Sequence, residues 1–160
     1  MKAFALVLAL MITTTLARSP DIIEWATAIS KHASDDRVIV YRFAKTLRSG
    51  FERSVFPDRV ILVWRYESPS GMPSLEERQA MDQLEDLLAP AVVDSELALL
   101  PLVSTGDNLR EWTYYTKSED AFLDALNAAL ASAPPFPIEI HAAPDPQWAS
   151  YQRFRAGVKE

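Results

Sequence analysis

The sequence predicts an α+β domain with a ferredoxin-like layer, and three observations carry that expectation. From Val60 onward the hydrophobic patterning runs strand, helix, strand, strand, helix, strand, the β-α-β-β-α-β series of such a layer. In that arrangement the first and third strands are central, and the second and fourth lie at the edges. The prolines agree: Pro101 and Pro137 fall in the second and fourth strands, where a missing N–H is tolerated, and none falls in the first or third. Finally, 49% of the 160 residues are hydrophobic, enough for one domain with a proper core.

The chain opens with Met1-Lys2, an uninterrupted apolar run from Ala3 to Ile12, and Thr15-Leu16-Ala17. A positive start, a short apolar centre and a small-residue site are the parts of a secretory signal peptide. A membrane-spanning helix needs roughly 20 apolar residues, and this run is shorter. The expectation is export to the periplasm or the medium, with residues 1–17 removed and a single domain over 18–160 that has no membrane association. Cleavage there takes away Lys2 and no acid, so the formal charge moves from −6 to −7.

Ile22–His32 fits two patterns. Ser19-Pro20 before apolar residues at 22, 26 and 29 suits a capped helix, whereas Trp25, Thr27 and Ile29 alternate as in a strand. A turn cluster, Ala33-Ser34-Asp35-Asp36, then leads into the β-branched and aromatic run of Arg37–Leu47. A hairpin is the expectation, extending the sheet at an edge the sequence does not fix. Arg48–Asp58 reads as a loop broken by Gly50 and Pro57. In Arg59–Tyr66 the segment Val60–Trp64 is apolar on both faces, as a strand in mid-sheet should be.

After a turn at Ser68–Pro73, Ser74-Leu-Glu-Glu77 has the spacing of a capping box. Met81, Leu84, Leu87, Leu88 and Val92 form the apolar stripe of the helix that follows, with Glu76, Asp82, Glu85 and Asp86 read as its solvated back. Glu96–Val103 is the next strand, placed at an edge because of Pro101. The turn at Gly106 leads into Leu109–Thr116. Ser118 suits the cap of a helix over Glu119–Ala131, whose Phe122, Ala125, Leu126, Ala129 and Leu130 share a face and which Pro134-Pro135 ends. Phe136–His141 is a short edge strand. Asp145-Pro146 reads as a cap with proline at the first position of a short C-terminal helix, on which Trp148, Tyr151 and Phe154 lie roughly on one face.

Composition narrows the function classes. A net acidic chain repels phosphate backbones, so nucleic acid is not an expected partner. With no cysteine, disulfides, thiol nucleophiles and thiolate metal sites are excluded together. Two histidines, His32 and His141, in no ligating spacing predict no metal, and four isolated glycines offer no phosphate loop for a cofactor. Ser104-Thr105-Gly106 lacks the Gly-x-Ser-x-Gly elbow, so no catalytic residue is assigned.

The densest mix of charge and aromatic surface is the turn and strand over 107–115. Its candidate binding residues are Asp107, Arg110, Glu111, Trp112, Tyr114 and Tyr115. On a strand, Arg110, Trp112 and Tyr114 share one face, and Glu111 and Tyr115 share the other. Arg110 could grip a carboxylate with its planar fork or pair with an acid on a neighbouring element. A site is expected at the Gly106 end of the sheet, or on an open face beside Glu111 and Tyr115. The expected function is a non-catalytic binding or interaction domain for a protein or small molecule. The alternative is a small hydrolase using Glu111 and Asp107, which would need two converging carboxylates, one with a raised pKa.

Val-Trp-Arg-Tyr (63–66), Gly-Met-Pro-Ser (71–74), Ser-Thr-Gly-Asp (104–107), Arg-Glu-Trp-Thr-Tyr-Tyr (110–115) and Asp-Pro-Gln-Trp-Ala-Ser-Tyr (145–151) together resemble the bacterial family catalogued as domain of unknown function 695. The resemblance spans roughly residues 25–154 and none of its motifs is a catalytic signature. Some members are joined to a domain similar to the protein inhibitor of ribonuclease E, which implies a binding or regulatory role. The signal peptide departs from that cytoplasmic setting.

Overall fold

The structure is a computed structural model and describes residues 20–31 and 37–159. The expected leader, His32 and the turn cluster 33–36 lie outside the described residues. Six strands and three helices follow in the order β1 (Ile22–Lys31), β2 (Val38–Leu47), β3 (Asp58–Arg65), α1 (Leu75–Leu88), β4 (Ala98–Gly106), β5 (Leu109–Thr116), α2 (Glu119–Leu130), β6 (Ile138–Pro144) and α3 (Ala149–Gly157). The chain is therefore α+β, with one six-stranded sheet in the order β1-β2-β4-β5-β3-β6 and every neighbouring pair antiparallel. β3 and β5 lie side by side in its interior, with Leu62 opposite Trp112. Residues 22–31 form a strand rather than a helix, paired along β2.

The N-terminal hairpin joins through β2, which pairs its residues 39–43 with β4. This corrects the placing of the Pro101 strand at an edge: β4 has a neighbour on each side. Pro101 is accommodated because both ladders are interrupted there. The β2–β4 pairing stops at Phe43 and Leu102, and the β4–β5 register shifts between Leu99 and Leu102, so no partner requires the missing N–H. The close approach of β2 to β4 also explains Gly106. A Cβ there would sit 2.1 Å from the Val38 carbonyl oxygen, so any side chain would push the hairpin off the sheet. Asp107 and Asn108 follow with φ of 52° and 63°, the two left-handed residues of a tight hairpin turn.

α1 starts as its sequence dictates. The Ser74 hydroxyl accepts from the Glu77 N–H, and the Glu77 carboxylate accepts from the Ser74 N–H. It gives way to a π turn over Ala89–Val93, in which the Asp94 N–H reaches the Ala89 carbonyl. Pro90 has no N–H for the carbonyl one turn back, so the wider winding replaces the α pattern there.

The core has two layers. On one face, α1 and α2 bury Met81, Leu84, Leu88, Phe122 and Leu126 against Val60, Leu62, Trp64, Trp112 and Tyr114. On the other, α3 packs Trp148 and Tyr151 against Ala44, Leu99, Tyr115 and Phe56. α3 does not begin at Pro146. Trp148 takes a left-handed conformation (φ 55°), and the helix proper starts at Ala149. Asp145 still serves its start, accepting from the Ala149 and Ser150 N–H groups at 2.7 and 3.1 Å.

Candidate functional site

The hairpin turn and the alternation of β5 send the six candidate residues to different places. Asp107, at the turn, pairs with Arg37 at 3.2 Å. Glu111 lies on the α3 side of the sheet, where Ser104 donates to it at 3.5 Å. Tyr115 shares that side but is not open: the Trp148 ring stacks on it at 4.1 Å between centroids, and its hydroxyl donates to Asp145 at 2.8 Å. The expected open surface beside Tyr115 is thus occupied by α3. Asp107 and Glu111 have different partners on different elements and are not brought to one point.

Arg110, Trp112 and Tyr114 lie together on the opposite face, beneath α1. The Arg110 guanidinium reaches Asp82 and Glu85 at 3.3 Å each and lies over the Trp112 ring. Trp112 donates its indole N–H to Glu85 at 2.9 Å, and Arg42, from β2, forms an ion pair with the same carboxylate. Glu85 is therefore a hub and not part of a solvated back. Burial pushes its carboxyl pKa up, but the bond and charge of Arg42, the Trp112 N–H and the Arg110 charge outweigh that and hold it below its usual value. The sequence held a signal for this: residues 81, 85, 88 and 92 follow one helical stripe, and Glu85 is the charged member.

Beside this hub is a pocket of about 260 Å³ lined by Ile22, Trp25, Arg42, Glu85, Ala89, Val93, Leu100 and Tyr114. It shares Ile22, Trp25 and Val93 with an adjoining hollow of about 450 Å³ that runs to Asp94, Glu96 and Leu99. The space exists because α1 and its π turn cover β3, β5 and β4 but stop short of the hairpin. There Trp25 and Ile29 remain 46% and 64% exposed.

Tyr114 forms part of the pocket lining. Its ring is buried against Phe122, and its hydroxyl makes no hydrogen bond to a described residue. Burial, with the Glu85 charge nearby, pushes its pKa well above the usual tyrosine range, so it is a neutral O–H donor at all ordinary pH values. The pocket thus offers an apolar wall, one free hydroxyl donor and an Arg–Glu pair. Among the described residues no group of three His, Cys, Asp or Glu is placed to hold a metal ion, and no helix is long and apolar enough to cross a membrane.

The motif residues serve largely to hold this arrangement. Arg110 and Trp112 tie β5 to α1, Tyr115 ties it to Asp145, and Trp148 donates its indole N–H to the Phe56 carbonyl. Gly71 lies 3.2 Å, measured from the position of a Cβ, from the Asp107 backbone, closing the loop before α1 onto the β4–β5 turn. No curated protein matches the chain. The family model for the family of unknown function DUF695 matches residues 24–155, and on that match the chain belongs to that family.

Proposed function

We propose that this chain is an exported, non-catalytic binding domain: a single ferredoxin-like layer over 18–160, extended by the β1–β2 hairpin. In this reading the ligand enters the pocket between that hairpin and α1. The observation that carries it is the Tyr114 hydroxyl, neutral, opening onto a pocket that is otherwise apolar or ion-paired, and without a hydrogen bond to a described residue. A ligand acceptor that takes this donor gains about 0.5–1.5 kcal/mol for the hydrogen bond. The ligand class that fits is a small molecule with an apolar body for Trp25, Val93 and Leu100, and a carbonyl or carboxylate oxygen for Tyr114 and Arg42.

The alternative, a carboxylate-dependent hydrolase, needs a carboxyl with a raised pKa beside a second carboxylate. Glu85, the acid at the pocket, is shifted the other way. That favours the binding reading.

The chain has four tryptophans, so NMR gives four indole N–H signals to watch. Titration with benzoate, cyclohexane carboxylate and benzamide should move the signals of Trp25 and Trp112 and leave that of Trp148 in place. Shifts spread over all four, or none, would rule the pocket out. Turnover of phenyl esters of the same acids, lost on Glu85→Gln, would replace the binding reading with the hydrolase. N-terminal sequencing of accumulated protein should begin near Arg18, and a start at Lys2 or Ala3 would remove export from the proposal.

A further inference from the structure

On the other face of the molecule, where α3 meets the end of β2, a cavity of about 370 Å³ is lined by Ala44–Leu47, Arg53, Tyr151, Gln152 and Arg155. Three of these residues are cationic in a chain whose net charge is −6. Lys45 is neutralised by Glu24 at 3.3 Å, and Thr46 donates to the same carboxylate at 3.0 Å. The two arginines differ: neither Arg53 nor Arg155 forms an ion pair with an acid among the described residues. Arg155 lies over the Phe43 ring at 4.8 Å, and its Nη1 is buried with no hydrogen-bond partner. Leaving a charged donor buried and unbonded is costly, and the Phe43 ring answers only the face of the guanidinium.

Both guanidiniums act on one point. Burial pushes the Tyr151 hydroxyl pKa up, and the charges of Arg155 and Arg53 both pull against that shift. The hydroxyl is itself engaged, donating to the Ala44 carbonyl, so it closes the floor of the cavity without competing for a ligand. Gln152 is tied to the Gln147 carbonyl. What remains for a ligand is the exposed Arg53 and the part of Arg155 other than its buried Nη1 that lines the cavity, with two charges that no described acid compensates.

We propose that Arg53 and Arg155 form an anion site for a phosphate group, as inorganic phosphate or as the terminal group of a phosphomonoester. A planar fork matches the oxygens of a tetrahedral oxyanion with paired hydrogen bonds, and a dianion neutralises two guanidiniums where a carboxylate neutralises one. The acidic surface elsewhere disfavours long polyanions, so the site suits a small solute and not a nucleic acid backbone. The site lies across the sheet from the Tyr114 pocket and does not depend on that reading.

The test is an NMR titration of the full chain at fixed ionic strength, with inorganic phosphate, glycerol phosphate and acetate in parallel. Saturable shifts should appear at the backbone amides of 44–47 and 151–155, with a Kd for phosphate on the order of 1 mM. Arg155→Gln and Arg53→Gln should each weaken it about 5-fold or more, while Arg155→Lys, which keeps charge and loses the fork, falls between. Arg53 is exposed on a short 3-10 turn, so its variant keeps the test valid even if Arg155→Gln disturbs α3. Tighter binding of glycerol phosphate would identify a phosphorylated organic ligand, and equal binding would identify free phosphate. Acetate binding as tightly as phosphate, shifts that never saturate, or phosphate affinity unchanged in Arg53→Gln would overturn the proposal.

Discussion

The two sides of β4 are built from similar residues and finished differently. Toward β5 and α3, three large aromatics have both a ring or cation contact and a partner for their polar edge: Trp112 to Glu85, Tyr115 to Asp145, Trp148 to the Phe56 carbonyl. On the α1 face of the β1–β2 hairpin the cover is thinner. Trp25 lies under the Arg42 guanidinium at 5.5 Å but stays 46% exposed, and on the wall between the two regions the Tyr114 hydroxyl makes no hydrogen bond to a described residue. The difference follows from the reach of the helices: α1 and α2 cover the interior strands and leave the hairpin uncovered. In this fold the closed side supplies stability, and the less covered side is where the proposed ligand pocket lies.

The sharpest break of that comparison is to remove a tryptophan from each side. Trp148→Ala deletes a fully buried ring stacked on Tyr115 and should cost about 3–5 kcal/mol, near the limit of what such a domain has. Trp25→Ala should cost less than about 1 kcal/mol, as for other half-exposed positions. Urea denaturation of the two variants measures both, and equal losses would mean the hairpin is as integral as the interior.

Next in size is the hub that ties the regions together. Glu85→Ala leaves Arg42, Arg110 and the Trp112 N–H without their shared acceptor. Because the carboxylate is only partly buried, the expected loss is about 2 kcal/mol, below the 3–5 typical of fully buried pairs. Glu85→Gln keeps an acceptor for Trp112 and should lose roughly half as much. A loss below about 0.5 kcal/mol for Glu85→Ala would reduce the hub to a surface pair.

The pH dependence follows from the same two carboxylates. Asp145 is pushed up by burial but held below its ordinary 3.8 by the N–H of Ser150, the Tyr115 hydroxyl and the N–H of Ala149. Glu85 is likewise below its ordinary 4.5. Groups depressed in the folded state contribute fully above their unfolded values, and that stability is lost as pH falls through the folded ones. Denaturation midpoints should therefore be flat down to about pH 4.5 and fall below it. The fall should be shallower in Glu85→Gln, and an unchanged acid profile in that variant would show that Glu85 is not depressed.

Much of the fold was legible because it is local. The Ser74–Glu77 box and the Ser118 cap set their helix starts without outside help, and the 109–116 alternation holds residue for residue. What escaped is non-local. The docking of the hairpin depends on β2 meeting β4 some sixty residues later in the chain (Tyr41 opposite Ser104), so no window of sequence contains it. Glu85 was misread because the partners that bury it, Arg42 and Arg110, come from two other strands. Asp145 was recognised as a cap, but the left-handed turn at Trp148 delayed the helix it serves. The candidate residues on β5 were found as a cluster, whereas their alternation divided them between a helix-covered face and the α3 face.

The smallest effect is the most telling about where the molecule was left unfinished. Tyr114 and Tyr115 are adjacent, both deeply buried, and differ in what their hydroxyls meet. Tyr115→Phe removes a bond to an ionised carboxylate and leaves Asp145 one donor short, so it should cost about 1.5–3 kcal/mol. Tyr114→Phe removes a hydroxyl with no partner among the described residues, so its stability should change by less than about 0.5 kcal/mol. A small gain is as acceptable as a small loss, because no hydrogen bond to a described residue is removed. If benzoate or benzamide binds as proposed, the same variant should weaken it several-fold while its denaturation curve overlays that of the parent. A clear loss of stability in Tyr114→Phe would mean that the hydroxyl is already satisfied within the fold, and the pocket would lose the donor on which its function is argued.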